Sequence, residues 1–266
     1  MGLSDRCPLV DSFYYLSPTL FPLMKKIELI CYIIIGIVIA IGTTVSYANP
    51  TFFAEKLTVE DGPFEWITVF MLFITGCLML RRAILLRNAR TKIFILITAG
   101  AGLLMWFGAG EELSWGQRIF GIEASDWLKE NNTQEDITLH NLKFGDVKIN
   151  KLVFSKLLAV GLLGYLIILP ILTERKPKIK ALTVRFAVPL ATKIQIIMWI
   201  VAMGLPEILI QHKRKGEVRD TCAGFIAFVT MLNPRNRYIY NVDSPLPLVS
   251  ERSTEAPEQS DQKINS

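Results

Sequence analysis

Two adjacent carboxylates at the end of a long apolar run are the residues of this chain best suited to chemistry. Glu111 and Glu112 directly follow the run 93–110. A carboxylate at the edge of a membrane is costly, so a pair of them requires an explanation. If the helix continues past the pair, helical spacing predicts one polar stripe, made of Glu111, Ser114, Trp115 and Arg118. We therefore take Glu111, Glu112 and Arg118 as candidate functional residues.

Further polar side chains occur near the ends of other apolar runs. Asp61 and Glu65 are four residues apart at the start of a run and would share a helix face if the helix begins early. His140, one of only two histidines, stands beside Asn141 in a long polar stretch, and Glu207 lies late in another run. The charge pattern of the loops predicts that all of these residues reach the same, non-cytoplasmic face.

Two kinds of chemistry fit such a cluster. Crowded carboxylates in a low-dielectric site have raised pKa values, so Glu111 or Glu112 is a candidate base and His140 a second acid or base. Arg118, next to Gln117, would then hold an anionic group. Alternatively, Glu111, Glu112 and His140 would bind a divalent metal that activates water, although the identity of any cofactor stays open. The sequence contains no zinc-protease, serine-hydrolase, P-loop or dinucleotide motif.

Each candidate also has a structural interpretation, which the sequence leaves open. Glu111 or Glu112 can pair with Arg118, and Asp61 can cap the helix that follows it. His140 can hydrogen-bond a loop carbonyl, and the tryptophans of the polar stretch can anchor it at a membrane interface.

Long apolar runs are the elements that would position these residues. The chain has 266 residues, of which 51% are hydrophobic, and a mean hydropathy of +0.37, which is high for a soluble protein. The runs predict an all-α, polytopic integral membrane bundle with about five transmembrane helices (range four to six). We place these helices near 27–48, 64–80, 93–110, 152–172 and 186–210, with a structured outer loop at 111–151. Residues 1–26 would be a cytoplasmic segment, 27–242 the membrane domain and 243–266 a disordered tail.

Basic residues lie mostly beside the apolar runs, although the net charge of +5 alone would raise the odds of a nucleic-acid partner. Lys25 and Lys26 precede the first run, and Arg81 and Arg82 follow the second, which indicates cytoplasmic loops. The chain has no zinc finger or basic helix of the base-reading kind, so we predict no nucleic-acid partner. The basic residues of 211–215 violate the charge rule, which leaves the side of the C-terminus open.

The first run has a second interpretation as a signal peptide. Residues 24–48 combine a basic start, an apolar core and a small-x-small end. We favour a retained helix because the apolar core is long for a signal peptide.

Three segments resemble motifs of a group of bacterial multi-spanning membrane proteins to which no activity is assigned. They are EDGPFEW at 60–66, EELSWGQR at 111–118 and EDITLHN at 135–141. The resemblance covers roughly the central half of the chain and implies a fold and a location in the bacterial inner membrane, but no reaction. The histidine boxes of membrane desaturases and the zinc-binding histidines of alkaline-ceramidase-like hydrolases are not present in this sequence.

Three classes of function follow from these patterns. One is a membrane-embedded enzyme that acts on a lipid or lipid-linked substrate at the outer face. Another is a non-catalytic scaffold or accessory subunit with a membrane-protein partner. The third is a small transporter or channel, because Gln195, Pro206 and Glu207 occur within one apolar run. The lipid bilayer is a partner in all three.

Overall fold

Three long apolar helices open the described part of the chain. The computed structural model describes residues 20–132, 137–139, 142–144, 147–148, 157–242 and 244. Helices α1 (Leu20–Ala48), α2 (Pro63–Leu86) and α3 (Lys92–Glu112) match the first three predicted runs. Within the described residues, these three helices are long and apolar enough to cross a membrane. Helix α2 continues past Arg81 and Arg82, where the sequence predicted its end.

Shorter elements complete the described structure. They are a helical turn at Pro50–Phe52 with a π-helical segment at Phe53–Leu57, a 3-10 turn at Ser114–Gly116, a short helix at Gln117–Phe120, α4 (Asp126–Asn131), α5 (Leu158–Leu163, Gly164–Ile168 and Leu169–Arg175), α6 (Pro177–Arg185), α7 (Lys193–Leu209), α8 (Lys215–Leu232) and a 3-10 turn at Arg237–Tyr240. Two antiparallel two-residue strands, β1 (Lys143–Phe144) and β2 (Val147–Lys148), pair Lys143 with Lys148 and Phe144 with Val147.

The fourth and fifth predicted transmembrane segments correspond to α5 and α7. The predicted start of the fourth, at 152, lies outside the described residues, and α5 runs on to Arg175. The fifth begins at Lys193 instead of 186, because Thr192 and Gln195 form a capping box that fixes the helix start. Among the described residues, neither α5 nor α7 meets the length and composition of a membrane span, which only α1, α2 and α3 meet.

Helix α8 is the central helix of the bundle, although the sequence indicated only a short apolar segment there. It packs against α1, α2 and α7. Val218, Cys222, Ile226 and Val229 on α8 are fully buried. Gly42 lets α1 pack closely against α8, because a Cβ at this position would come within 2.9 Å of the Val218 side chain. The hydroxyls of Thr68 on α2 and Thr221 on α8 are 3.2 Å apart.

The bundle has two chemically different ends. At the end that we call the acidic end, α1 and α3 finish, α2 and α8 begin, and Glu60, Asp61, Glu111 and Glu112 are found. At the opposite, basic end, Arg82 donates hydrogen bonds to the carbonyls of Met231 and Leu232. Arg90 donates to the carbonyl of Ile239 there. Residues 233–242 therefore lie at the basic end, the end at which α1 begins.

Large apolar side chains point outward from five helices. They are Leu29, Ile33 and Ile37 on α1, Phe70 and Phe73 on α2, Leu96, Leu103 and Leu104 on α3, Leu163, Ile167 and Ile171 on α5, and Ile194, Ile197 and Ile200 on α7. Contiguous apolar surface on this scale marks contact with another protein or with a membrane.

Candidate functional site

A tight turn before α2 positions the first carboxylates of the site. Asp61 has a left-handed backbone (φ 58°), and a Cβ on Gly62 would come within 2.5 Å of the Val59 carbonyl oxygen. The amide of Asp61 donates to the Glu65 carboxylate at 2.8 Å. Glu65 thus caps the turn that presents Asp61, whereas the sequence had suggested Asp61 as the cap.

The polar stripe predicted on a continuous helix does not form, because α3 ends at Glu112. Ser114, Trp115 and Gly116 have φ values of 46°, 54° and 75°, so the chain reverses through the left-handed region. The Trp115 ring then lies against Gly110, where a Cβ would come within 2.8 Å of it. The reversal brings Arg118 to α2 instead of extending the face of α3.

Arg118 contacts three carboxylates, two in the turn before α2 and one in the first turn of α2. Its guanidinium nitrogens lie 3.1 Å from Asp61 Oδ1, 3.2 Å from Glu65 Oε1 and 3.4 Å from Glu60 Oε2. Burial lowers the pKa of Arg118, but the hydrogen bond to Asp61 and the surrounding carboxylates outweigh burial and raise that pKa above its ordinary value. Arg118 is therefore a protonated internal clamp, and its donors face this protein's own carboxylates.

Glu111 and Gln117 hold a later stretch of the polar segment, residues 137–139, in place. One oxygen of the buried Glu111 carboxylate accepts from Trp115 Nε1 and the other from the Leu139 amide, both at 2.7 Å. Gln117 Oε1 accepts from the amide of Ile137 at 2.9 Å. These bonds fasten residues 137–139 to the end of α3.

Glu112 differs from its neighbour, because it accepts no hydrogen bond from within the described part of the chain. It is partly buried and lies within electrostatic range of Glu65, Glu217 and Asp220. Sequence reasoning missed Glu217 and Asp220 because helix α8 was not recognised. The only signal was their three-residue spacing, which places two acids on one helix face.

Glu207 forms ion pairs at the acidic end. Its carboxylate oxygens lie 2.6 Å from Lys215 Nζ and 2.9 Å from Arg219 Nη1, which links the end of α7 to the start of α8. Arg214, in the same basic stretch, donates to the Thr58 carbonyl at 2.8 Å. Within the basic stretch that violates the charge rule, Lys215 is thus ion-paired and Arg214 is hydrogen-bonded to the protein.

His140 and Asn141 lie outside the described residues, so the structure does not place them relative to Glu111 and Glu112. Among the residues that are described, no three His, Cys, Asp or Glu side chains are arranged to hold a metal ion. Of the other predicted site residues, Asp61 and Glu65 both contact Arg118 directly. Glu111 and Gln117 accept hydrogen bonds from the amides of Leu139 and Ile137.

Comparisons with protein-family models, curated proteins and solved structures find no match. The functional interpretation therefore rests on the geometry of the acidic end. What that geometry does is attach the segment that follows α3 to the helix bundle through charged and polar side chains.

Proposed function

We propose that this chain is an integral membrane protein that works as a non-catalytic scaffold or accessory subunit. Its acidic end would present the described parts of the segment that follows α3, residues 113–132 and 137–139, in a fixed position to a membrane-protein partner. The observation that supports this proposal is the set of hydrogen bonds made by the side chains of Glu111, Gln117 and Arg118. All three side chains bind the protein's own groups and so fix that segment, which is a positioning role.

The surface of the fixed segment supports a partner of partly apolar chemistry. Ile119, Phe120, Ile122 and Trp127 are all about half or more exposed, with Phe120 at 74%. Aromatic and large aliphatic side chains are enriched at the centres of protein interfaces. A segment that is held rigidly and exposes such side chains loses little conformational entropy on binding.

In this proposal, α5, α7 and α8 lie in the membrane together with the three apolar spans α1, α2 and α3. The outward apolar faces of α5 and α7 would contact lipid together with those of α1, α2 and α3, and α8 would cross the membrane inside this ring. The short apolar length of α8 is then no obstacle, because protein surrounds it. The motif resemblance to bacterial proteins supports the bacterial inner membrane, with the acidic end outside.

A photocrosslinking amino acid at Phe120 tests the proposal, with Phe70 on the outward face of α2 as the matched control. We expect a discrete protein adduct at Phe120 in cells and only lipid adducts at Phe70. The Phe120 adduct should weaken in Glu111→Gln, which releases the segment. Lipid adducts at both positions, together with a clean monomer in gentle detergent, would contradict the scaffold.

A membrane-embedded enzyme is the second candidate, and Glu112 is the observation that favours it. An acid without a hydrogen-bonded partner among the described residues, close to other carboxylates, is suited to proton transfer to a lipid or lipid-linked substrate. In a deletion strain, Glu112→Gln should then abolish function at a normal protein level. A scaffold instead predicts that Glu112→Gln complements fully. For the transporter alternative, the described residues offer no specific supporting observation, since Glu207 is ion-paired with Lys215 and Arg219.

A further inference from the structure

A cavity at the basic end has the character of a site for an amphiphilic anion. It has a volume of about 790 Å³ and lies between the first turns of α1, the start of α7 and residues 233–238. We propose that it binds the phosphate-bearing headgroup of an anionic lipid, with Arg235 and Arg237 as the recognition residues and Leu29 and Ile194 beside the acyl chains.

The charge of the lining favours an anion. Lys25, Arg235 and Arg237 line the cavity together with a single acid, Glu28. The Glu28 carboxylate already accepts hydrogen bonds from Tyr32, from Gln195 Nε2 at 3.2 Å and from Asn233 Nδ2 at 2.7 Å. These donors hold the Glu28 carboxylate from within the protein, and the described lining places three basic side chains beside this one acid.

Arg235 can exchange its present partners for a ligand. Its Nη1 pairs with Glu174 at 2.7 Å, where the Glu174 side chain is 67% exposed, and its Nη2 donates to the Thr173 hydroxyl at 3.1 Å, so a ligand would compete with one exposed ion pair and one neutral hydrogen bond. An ion pair at such a site contributes little free energy, because water solvates both charges well. Phosphate oxygens, in contrast, match the paired donors of a guanidinium.

The apolar part of the lining favours a lipid over free phosphate. Leu29 and Ile194 line the cavity and are 59% and 61% exposed. They belong to the outward apolar faces of α1 and α7, so a headgroup in the cavity would place its acyl chains along those faces. Basic pockets between helices on the cytoplasmic side of a membrane are known to hold acidic headgroups.

Native mass spectrometry of the full chain in detergent tests this site with phosphatidylglycerol and phosphatidylcholine. We expect the wild type to bind phosphatidylglycerol in preference to phosphatidylcholine. Arg235→Gln/Arg237→Gln should weaken that binding about tenfold, because two charged donors are removed. The matched control Lys178→Gln/Arg185→Gln removes the same charge from the same end, outside the cavity, and should bind like the wild type.

Three results would overturn the proposal: equal weakening in the control, equal binding of both lipids, or displacement of phosphatidylglycerol by equimolar inorganic phosphate. The last result would indicate a free-anion site. If the arginine variant does not fold, Leu29→Ser/Ile194→Ser tests the same site through exposed positions. It should weaken phosphatidylglycerol binding severalfold, and unchanged binding would count against the lipid.

Discussion

At the scale of single residues, two neighbouring glutamates have different environments. Glu111 uses both carboxylate oxygens to hold other parts of the chain, whereas Glu112 has no hydrogen-bonded partner among the described residues. The sequence analysis singled out the pair but could not distinguish the two carboxylates from each other. That separation depends on the left-handed backbone at Ser114 and Trp115, which neither residue type favours.

Glu111→Gln should loosen the polar segment while the helix bundle stays folded. A glutamine is neutral and offers one acceptor oxygen where Trp115 and the Leu139 amide each use a carboxylate oxygen, so both donors lose a charged acceptor and one of them loses its acceptor altogether. We expect amide exchange in a peptide that contains Leu139 to become roughly ten- to a hundredfold faster, since a hydrogen bond to a charged group contributes ~1.5–3 kcal/mol. Glu112→Gln is the matched control and should leave this exchange unchanged. Equal effects of the two variants would show that the hydrogen bonds of Glu111 do not hold the segment.

At the scale of helices, small residues allow α2 and α3 to pack closely. A Cβ on Gly102 of α3 would come within 2.8 Å of Leu80 Cγ and 3.0 Å of the Gly76 carbonyl oxygen. Trp106 donates to the Phe73 carbonyl at 3.1 Å across the same contact. Small residues at such crossings are a usual means by which helices associate in a membrane.

Gly102→Ala should destabilise the protein, and Gly100→Ala on the same helix should not. The first methyl group forces α2 and α3 apart, at a cost of ~1–3 kcal/mol for an overpacked contact. The second meets no atom within 4 Å, and alanine there is favoured by helix propensity. Thermal unfolding in detergent should therefore give a lower Tm for Gly102→Ala and an unchanged or higher Tm for Gly100→Ala. Similar shifts in both variants would argue against close packing at Gly102.

The accuracy of the sequence predictions varied from helix to helix for physical reasons. The first three runs are apolar enough to identify α1, α2 and α3 by composition. The end of α2 was placed too early because Arg81 and Arg82 resemble a boundary, yet Arg82 is buried and donates to the last carbonyls of α8. Helix α8 was missed because its first turns are charged, and its burial comes from neighbours that no local pattern reveals.

At the scale of the whole molecule, the C-terminal part of the described chain lies at the end of the bundle where α1 begins. Because α7 and α8 run antiparallel, residues 233–242 return to the basic end. Asp61, Glu65 and Glu111 lie at one end of the bundle because alternating helix directions bring the start of α2 and the end of α3 together. Which side chains pair within that cluster depends on turn geometry and could not be predicted.

Cysteine labelling in intact cells tests this arrangement. In a background without the native cysteines, Glu60→Cys and Lys213→Cys should react with a membrane-impermeant maleimide. Ser244→Cys should react only after the membrane is permeabilised, because it lies at the basic end with Arg90. Reaction of all three positions in intact cells would rule out a membrane-crossing α8.

The central position of α8 has a consequence for how the protein is made. Among the described helices, α1 packs mainly against α7 and α8, and α8 leaves the ribosome about 170 residues after α1. At ~5–20 residues per second, α1 waits roughly ten to thirty seconds for these neighbours, while α2 and α3 can pair at once. During that interval α1, as a membrane span of the protein that we propose, would depend on the insertion machinery or on lipid for protection. A nascent chain that stalls before residue 215 would expose an orphan helix to the proteases that survey membrane proteins.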